Sequence, residues 1–419
     1  MSTVAATTTD VVVTTPVGAR RTPLLNLLPV EGAVTWVRRG EGLVGWGEAD
    51  RLEVSGPDAL ARAQQWWTDR CARTEVVDPV GVPGSGPVVF ASIAFDPTAG
   101  TSVFVVPEVV VGRRGGQTWV TTTGDALDRP VFETSGEEAD TSIGQLAYAD
   151  GALDPVTWCG AVARAVARID AGELDKVVLA RDLLVTADHP LDPRRLLLRL
   201  AARFPDCWTF SVDGLLGATP ELLLRRTGRE LSSRVLAGTT SRGAGAEDDR
   251  LADALTHSGK DLAEHEYAVA SLVATLSPFC ATLDVPATPQ LLTLPNVRHL
   301  ATDLRGTQRA DSPAGLLDLV AAVHPTAAVC GTPTPVAAAL IAELEGMDRG
   351  RYAGPVGWLD AAGDGEFGLA LRCAQLTGAD GGAQARLFAG CGIVAGSDPA
   401  AELAETQNKL AAFQAALED

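Results

Sequence analysis

Residues Ala389 to Lys409 read AGCGIVAGSDPAAELAETQNK. A mostly apolar run, residues 385–389, predicts a strand that breaks at Gly390-Cys391-Gly392, with a helix from near Ser397. Ser397 or Asp398 can cap that helix, and Pro399 falls in its first turn, where a missing N–H costs nothing. Glu402 and Glu405 follow at i and i+3, so both carboxylates leave one face. A glycine loop with bare N–H groups, a helix N-terminus and two aligned carboxylates suit an anion held beside a metal ion. An ordinary capped helix accounts for the same residues, with Glu402 at the positive end of the dipole and Glu405 paired with Lys409. A second acidic helix elsewhere in the chain would favour the metal.

A chain of 419 residues has room for a substantial core, and 46% hydrophobic with 21% charged residues is the balance of a folded soluble protein. The net charge of −19 argues against nucleic acid and anionic membranes, which need clustered Lys and Arg. It does not exclude an anionic small substrate in a locally positive site. Seven dispersed cysteines without a CxxC pair read as free thiols in a reducing compartment. The N-terminus, MSTVAATTTDVVVTT, lacks the basic region and leucine-rich core of a signal peptide. Residues 319–342 form the longest uncharged stretch, but three prolines rule it out as a membrane span. The expectation is a cytoplasmic protein.

Residues 1–22 look like a disordered, Thr-rich leader, and 23–150 like an N-terminal sheet region. Short strands (AVTWV, LVGWG) are followed by a helix near Pro57 to Arg73, then VVFASIAF, SVFVVPEVVV and TWVTTT. Glu133 to Gly144 reads as an acidic surface loop. From 151 to 419, Asp154 opens a helix that Gly172 closes, and a strand starts at Lys176. A turn is expected at GATPE, a long helix over Asp248 to Leu276, and a final strand set that includes GEFGLALRCAQL. Strands and helices mix without regular alternation, which favours an α+β fold over a doubly wound sheet.

The second acidic helix is KDLAEHEY, residues 260–267, where Asp261 and Glu264 again stand at i and i+3. Two such pairs supply oxygen ligands suited to Mg²⁺. A solvated helix face, with Lys260 pairing Glu264, is the plainer alternative. Lys176 begins an apolar strand; a sheet-edge charge is the common role there, whereas burial turns an amine into a usable base. Glu221, after GATP, stands at the mouth of a strand and pairs with Lys176 as acid with base. Arg372 lies in FGLALRCA among apolar residues with no acidic neighbour in sequence, which suits a carboxylate ligand or a structural ion pair. His299 is the sort of histidine that usually serves the core or surface rather than proton transfer.

These pieces in this order resemble the chorismate-utilising enzymes, most closely the isochorismate synthases. The resemblance runs from about Asp154 to the C-terminus, through KVVLAR (176–181), GATPELLLRR (217–226), LAGTTSRG (236–243), KDLAEHEYAV (260–269), HPTAAVCGTP (324–333), YAGPVGW (352–358), GEFGLALRCA (365–374) and AGCGIVAGSDPAAELAET (389–406). It implies one large anthranilate-synthase-like unit of two packed antiparallel sheets with outer helices. Lys176 would be the base activating water toward C2 of chorismate, and Glu221 the acid protonating the departing C4 hydroxyl. Glu264 and Glu405 would bind Mg²⁺ directly, with Asp261 and Glu402 assisting through water. Arg372 and the N–H groups of Gly390, Cys391 and Gly392 would receive the enolpyruvyl carboxylate. Gly238, Thr239, His299, Ala328 and Tyr352 would line the pocket.

Within that family, the first acidic helix continues EHEYAVASLVATL and lacks the VDL-x-RND segment of anthranilate and aminodeoxychorismate synthases. Salicylate synthases usually carry threonine where this chain has Ala328. The resemblance therefore implies an isochorismate synthase, an isomerase serving menaquinone or siderophore biosynthesis, with menaquinone the route favoured. A salicylate synthase and a non-catalytic chorismate-binding paralogue are the alternatives. No amidotransferase subunit is implied, and a monomer is expected. Cys391 replaces a commoner alanine, and its thiol suggests sensitivity to oxidation.

Overall fold

Valine- and threonine-rich runs, which fit a pleated half-buried surface, build the first third of the chain. The computed structural model describes residues 10–18, 22–124, 126, 143–377 and 382–418. Strands β1 (Asp10–Val17), β2 (Val34–Arg38), β3 (Glu41–Trp46) and β4 (Asp50–Val54) precede helix α1 (Ala59–Ala72). Then come β5 (Thr74–Val77), β6 (Val88–Ser92), β7 (Ser102–Val106), β8 (Val109–Arg114), β9 (Gln117–Thr123) and β10 (Leu146–Asp150). The expected leader is thus partly wrong: Asp10–Val17 is a strand, antiparallel to β9 and parallel to β5. Most of the expected acidic loop, residues 133–142, lies outside the described residues.

Helix α2 (Pro155–Asp170) starts where foreseen, its Asp154 carboxylate accepting the Val156 and Thr157 N–H groups. It leads to β11 (Lys176–Ala187), α3 (Pro193–Arg203), β12 (Trp208–Val212), β13 (Leu215–Thr219), β14 (Leu222–Thr227) and β15 (Glu230–Ser241). The expected long helix is two, α4 (Ala246–His257) and α5 (Gly259–Leu276). Ser258 breaks it in an extended conformation and caps α5 by accepting the Asp261 N–H at 3.2 Å. After it come β16 (Cys280–Asp284), β17 (Gln290–Thr293), β18 (Val297–Gln308), α6 (Leu316–Val323), β19 (Gly331–Thr332) and α7 (Thr334–Leu344). The chain closes with β20 (Pro355–Asp360), β21 (Gly365–Leu369), β22 (Cys373–Thr377), β23 (Gln384–Ile393) and α8 (Pro399–Glu418).

Among the described residues the strands form two sheets. The larger runs β10-β11-β23-β22-β13-β12-β2-β3-β8-β9-β1-β5, with β19 also on β11. The smaller runs β16-β18-β15-β14-β21-β20-β6-β7-β4, with β17 on β18. Apart from β1 with β5, the pairings are antiparallel. Trp36, Phe90, Trp358 and Phe367 fill the space between the sheets. Leucines of α3 and Phe413 of α8 cover the outer face of the larger sheet. This is the α+β arrangement of two packed sheets with outer helices. No helix among the described residues is long and apolar enough to cross a membrane.

Short links carry the chain from one sheet to the other, and sequence patterning hides them. SVFVVPEVVV is two strands, β7 and β8, in different sheets. The glycine of GATPE is inside β13, and only Pro220-Glu221 link β13 to β14 across the sheets. FGLALRCA is likewise cut between β21 and β22, so Arg372 stands in a link with φ 49° rather than on a strand.

A buried ion pair ties the end of α7 to β11. Glu345 accepts the Ala180 N–H at 2.7 Å and pairs with Arg349, which also donates to the carbonyls of Val178 and Val329, each at 2.8 Å. Glu345→Ala would strand a buried guanidinium, so urea denaturation should show a loss of about 3–5 kcal/mol.

Candidate active site

Lys176 opens β11 and is fully buried. Its Nζ lies 3.1 Å from Glu264 Oε1 on α5, yet it has no aligned hydrogen-bond partner, so the two meet by charge rather than by a directed bond. The contact depends on β23. Val178 and Ala180 of β11 stand opposite Gly392 and Gly390. Val178 donates its N–H to Cys330 and its carbonyl takes Arg349; Ala180 donates to Glu345 and its carbonyl takes Trp158. Opposed residues in an antiparallel ladder share both bonds or neither. Gly390 and Gly392 therefore turn their N–H groups to the other edge of β23, which β22 leaves unpaired beyond Leu387. Lys409 Nζ reaches Gly390 O on that edge at 2.9 Å.

The expected glycine loop is thus a strand, and its backbone donors come from an open sheet edge. Gly392 is also a steric requirement, because a Cβ there would lie 2.1 Å from Glu264 Oε1 and 3.0 Å from Lys176 Cε. Cys391 between the glycines is buried with its Sγ 3.8 Å from Glu402 O. Burial pushes that thiol well above its ordinary range, with Glu402 and Glu405 adding to the shift. It stays protonated, which overturns the expectation of an oxidation-sensitive thiol.

α8 is capped by Asp398, which accepts the Ala401 N–H at 2.8 Å. Its Glu402 and Glu405 face Asp261 and Glu264 of α5. Burial raises Asp261, and the charges of Glu264 and Glu402 raise it further. Burial likewise raises Glu405, with Glu402 and Glu264 adding and Lys409 opposing. Lysines answer this crowding: Lys260 pairs with Glu402 at 2.7 Å and Lys409 with Glu405 at 2.7 Å. The Lys260–Glu264 pair considered from spacing does not form; Lys176 takes Glu264 instead. Four mutually repelling carboxylates are a donor set that fits Mg²⁺ in chemistry. As placed, no three acidic, His or Cys side chains gather about one point among the described residues. An ion would draw the glutamates off their lysines.

Glu221 is buried in the link after Pro220, and burial pushes its carboxyl up to about 8, against the opposing charges of Lys176, Lys409 and Arg372. At neutral pH it is largely protonated. Arg372 is buried as well, with burial holding its pKa below the usual value. Its Nη2 donates to His299 Nε2, while Nη1 is buried without a partner. A guanidinium has no acceptor, so Nε2 accepts and the ring proton is on Nδ1, 3.0 Å from Thr239 Oγ1. Burial and Arg372 keep His299 well below its ordinary pKa, so it is a neutral prop for Arg372.

These groups border one cavity of about 750 Å³, its mouth included. Glu221, Glu264, Arg372 and Glu405 reach it, as do Gly238, Thr239 and His299, with Ala328 and the strand-edge residues 390–392 on its wall. Tyr352 stacks on Phe388 at 4.8 Å on another wall. Lys176, Asp261 and Glu402 do not line it; Lys176 sits behind Glu264. Sequence reasoning missed Lys409, Arg349 and Phe388 as lining residues. Lys409 alone left a signal, at i+4 from Glu405.

Two sheets enclosing a cleft with an unpaired arginine, a neutral glutamic acid and facing acidic helices define a site for a small carboxylate-bearing substrate. A sequence profile of chorismate binding enzymes matches residues 33–418, and the chain belongs to that family. It is 40% identical over 285 residues to the isochorismate synthase DhbC of Bacillus subtilis, covering 65% of this chain and 70% of that one. Its fold matches MenF, the menaquinone-specific isochorismate synthase of Escherichia coli, with a TM-score of 0.80 and 25% identity, over 97% and 94% of the two chains. Anthranilate synthase component I of Streptococcus pneumoniae shares the fold, with a TM-score of 0.71, 20% identity and 90% and 92% coverage.

A carboxyl raised from 4.5 to about 8 stabilises the fold below pH 4.5 and loses that contribution as pH climbs toward 8. Urea denaturation at pH 5 and pH 8 should show the wild type losing more stability than Glu221→Gln over that interval. Gly392→Ala should crowd the Lys176 stem as well as Glu264, displace the lysine and lower turnover about a hundredfold or more, a size that general-base loss implies, measured by steady-state kinetics.

Proposed function

We propose that the chain is an isochorismate synthase, interconverting chorismate and isochorismate by adding water at C2 and losing the C4 hydroxyl. The observation that carries this is a protonated Glu221 on the cavity wall and a buried lysine, Lys176, held directly behind the lining residue Glu264: an acid and a base, as a proton-in, proton-out exchange needs. Lys176 takes a proton from the attacking water, and Glu221 gives one to the C4 oxygen, which leaves as water. Arg372 offers its partnerless Nη1 to the enolpyruvyl carboxylate, with the N–H groups of Gly390 and Gly392 beside it. His299 and Thr239 hold that arginine in line.

Glu264 and Glu405, with Asp261 and Glu402 behind them, would hold Mg²⁺. Bound there, Mg²⁺ would neutralise the ring carboxylate of the substrate. Glu264, as one of the residues that would hold the ion, is also the ion-pair partner of Lys176, so the two roles would compete for one carboxylate. Menaquinone is the route we propose it supplies, on the divergent N-terminal third and Tyr352.

Purified protein given chorismate and Mg²⁺ should yield isochorismate by chromatography; anthranilate, salicylate with free pyruvate, or unchanged chorismate would refute the assignment. Lys176→Ala should lower kcat by about 10²–10⁴-fold while Mg²⁺-dependent ligand binding persists in calorimetry. Expression in a bacterium lacking its own isochorismate synthases should restore menaquinone in lipid extracts, and failure to do so by an active enzyme would point to another route.

A further inference from the structure

A second charged cleft opens between the sheets and shares no lining residue with the cavity above. It has two adjoining lobes of about 610 and 680 Å³, mouths included, which have Arg38, Trp208 and Arg225 in common. Seven arginines but only three carboxylates line them, in a chain whose net charge is −19. Such concentration of one sign works against the overall charge and costs repulsion.

Two of the three carboxylates, Glu366 and Asp303, are already committed. Glu366 Oε2 accepts the indole N–H groups of Trp36 at 3.0 Å and Trp208 at 3.2 Å, and Arg225 Nη2 at 3.1 Å. Its Oε1 takes Arg114 at 3.2 Å. Asp303 is held by both arms of Arg234, at 2.6 and 2.9 Å. Arg38 has no such partner. Its Nε donates to Asp206 O at 2.7 Å and its guanidinium lies 4.1 Å from the centre of the Trp208 ring. Among the described residues no carboxylate forms an ion pair with Arg38 or with the exposed Arg305. The Arg225 Nε is buried with no partner at all. Burial and the neighbouring charges of Arg234, Arg39 and Arg225 hold Arg38 below its usual pKa, an electrostatic debt that an anion would relieve.

We infer that this cleft binds a small multivalent oxyanion, a phosphate ester or a polycarboxylate, between Arg38, Arg225 and Arg305. Guanidinium forks accept either chemistry in two-point contacts, and Trp208 holds the Arg38 fork flat beneath the ligand. Rim arginines that only meet water are the competing account.

Isothermal titration of the full chain without Mg²⁺, at low salt, separates the two. Pyrophosphate and citrate are the probes, and the one bound more tightly assigns phosphate or carboxylate chemistry. One site per chain is expected, with Arg38→Gln weakening it about tenfold and Arg305→Gln severalfold, and with basal turnover unchanged in both. Arg250→Gln, an exposed charge elsewhere, should leave binding intact. The inference fails if neither anion binds, if Arg38→Gln and Arg305→Gln bind as the wild type does, or if Arg250→Gln or Arg372→Gln weakens binding as much. Should Arg38→Gln not fold, Arg305→Gln alone decides.

Discussion

The Gly392 backbone leaves no space for a side chain beside Lys176 and Glu264, and the site is built on that closeness. A fully buried ammonium needs an anion within reach, and the carboxylate supplying it comes from α5, a different part of the chain. The register of β11 against β23 sets the approach, because it places a glycine where α5 comes down on the sheet. The same register turns Gly390 and Gly392 outward at an unpaired edge. One strand pairing therefore positions Lys176, admits its counter-charge and supplies backbone donors.

Two more charged or polar groups of the cavity stand where the chain changes sheets. Glu221 is in the link from β13 to β14 and Arg372 in the link from β21 to β22. Link residues are released from the alternation of a ladder, so their side chains can point along the gap between sheets rather than across it. Arg372 takes a left-handed conformation there, with φ 49°, a backbone state that non-glycine residues seldom adopt and that functional sites often hold. Charge then balances across the gap. Two acidic helices are answered one lysine at a time, by Lys176, Lys260 and Lys409, while Arg372 keeps one nitrogen unanswered. That imbalance is what a substrate carboxylate can satisfy.

Much of this was readable from sequence. Helix starts at Asp154 and Asp398 follow from local capping chemistry, and the i, i+3 acids of α5 and α8 follow from helical spacing. Strand termini within apolar runs were not readable. LALRCA and VVPEVV stay mostly apolar across a sheet switch, as one buried strand would. Ser258 was equally silent, since helical periodicity continues on both sides of the break. Cys391 looked reactive from its type alone, and only its burial shows otherwise.

The amino-acid sequence by itself determined which residues are acids, bases and caps, which of them share a helix face, and the family whose motifs they follow. Those properties depend on neighbours within a few residues. Tertiary structure decided which charge answers which: Glu264 with Lys176 rather than Lys260, Glu402 with Lys260, and Arg372 with a neutral histidine 73 residues away. The reason is that ion pairing and desolvation depend on distances through space, and those are set by how two sheets and two helices pack.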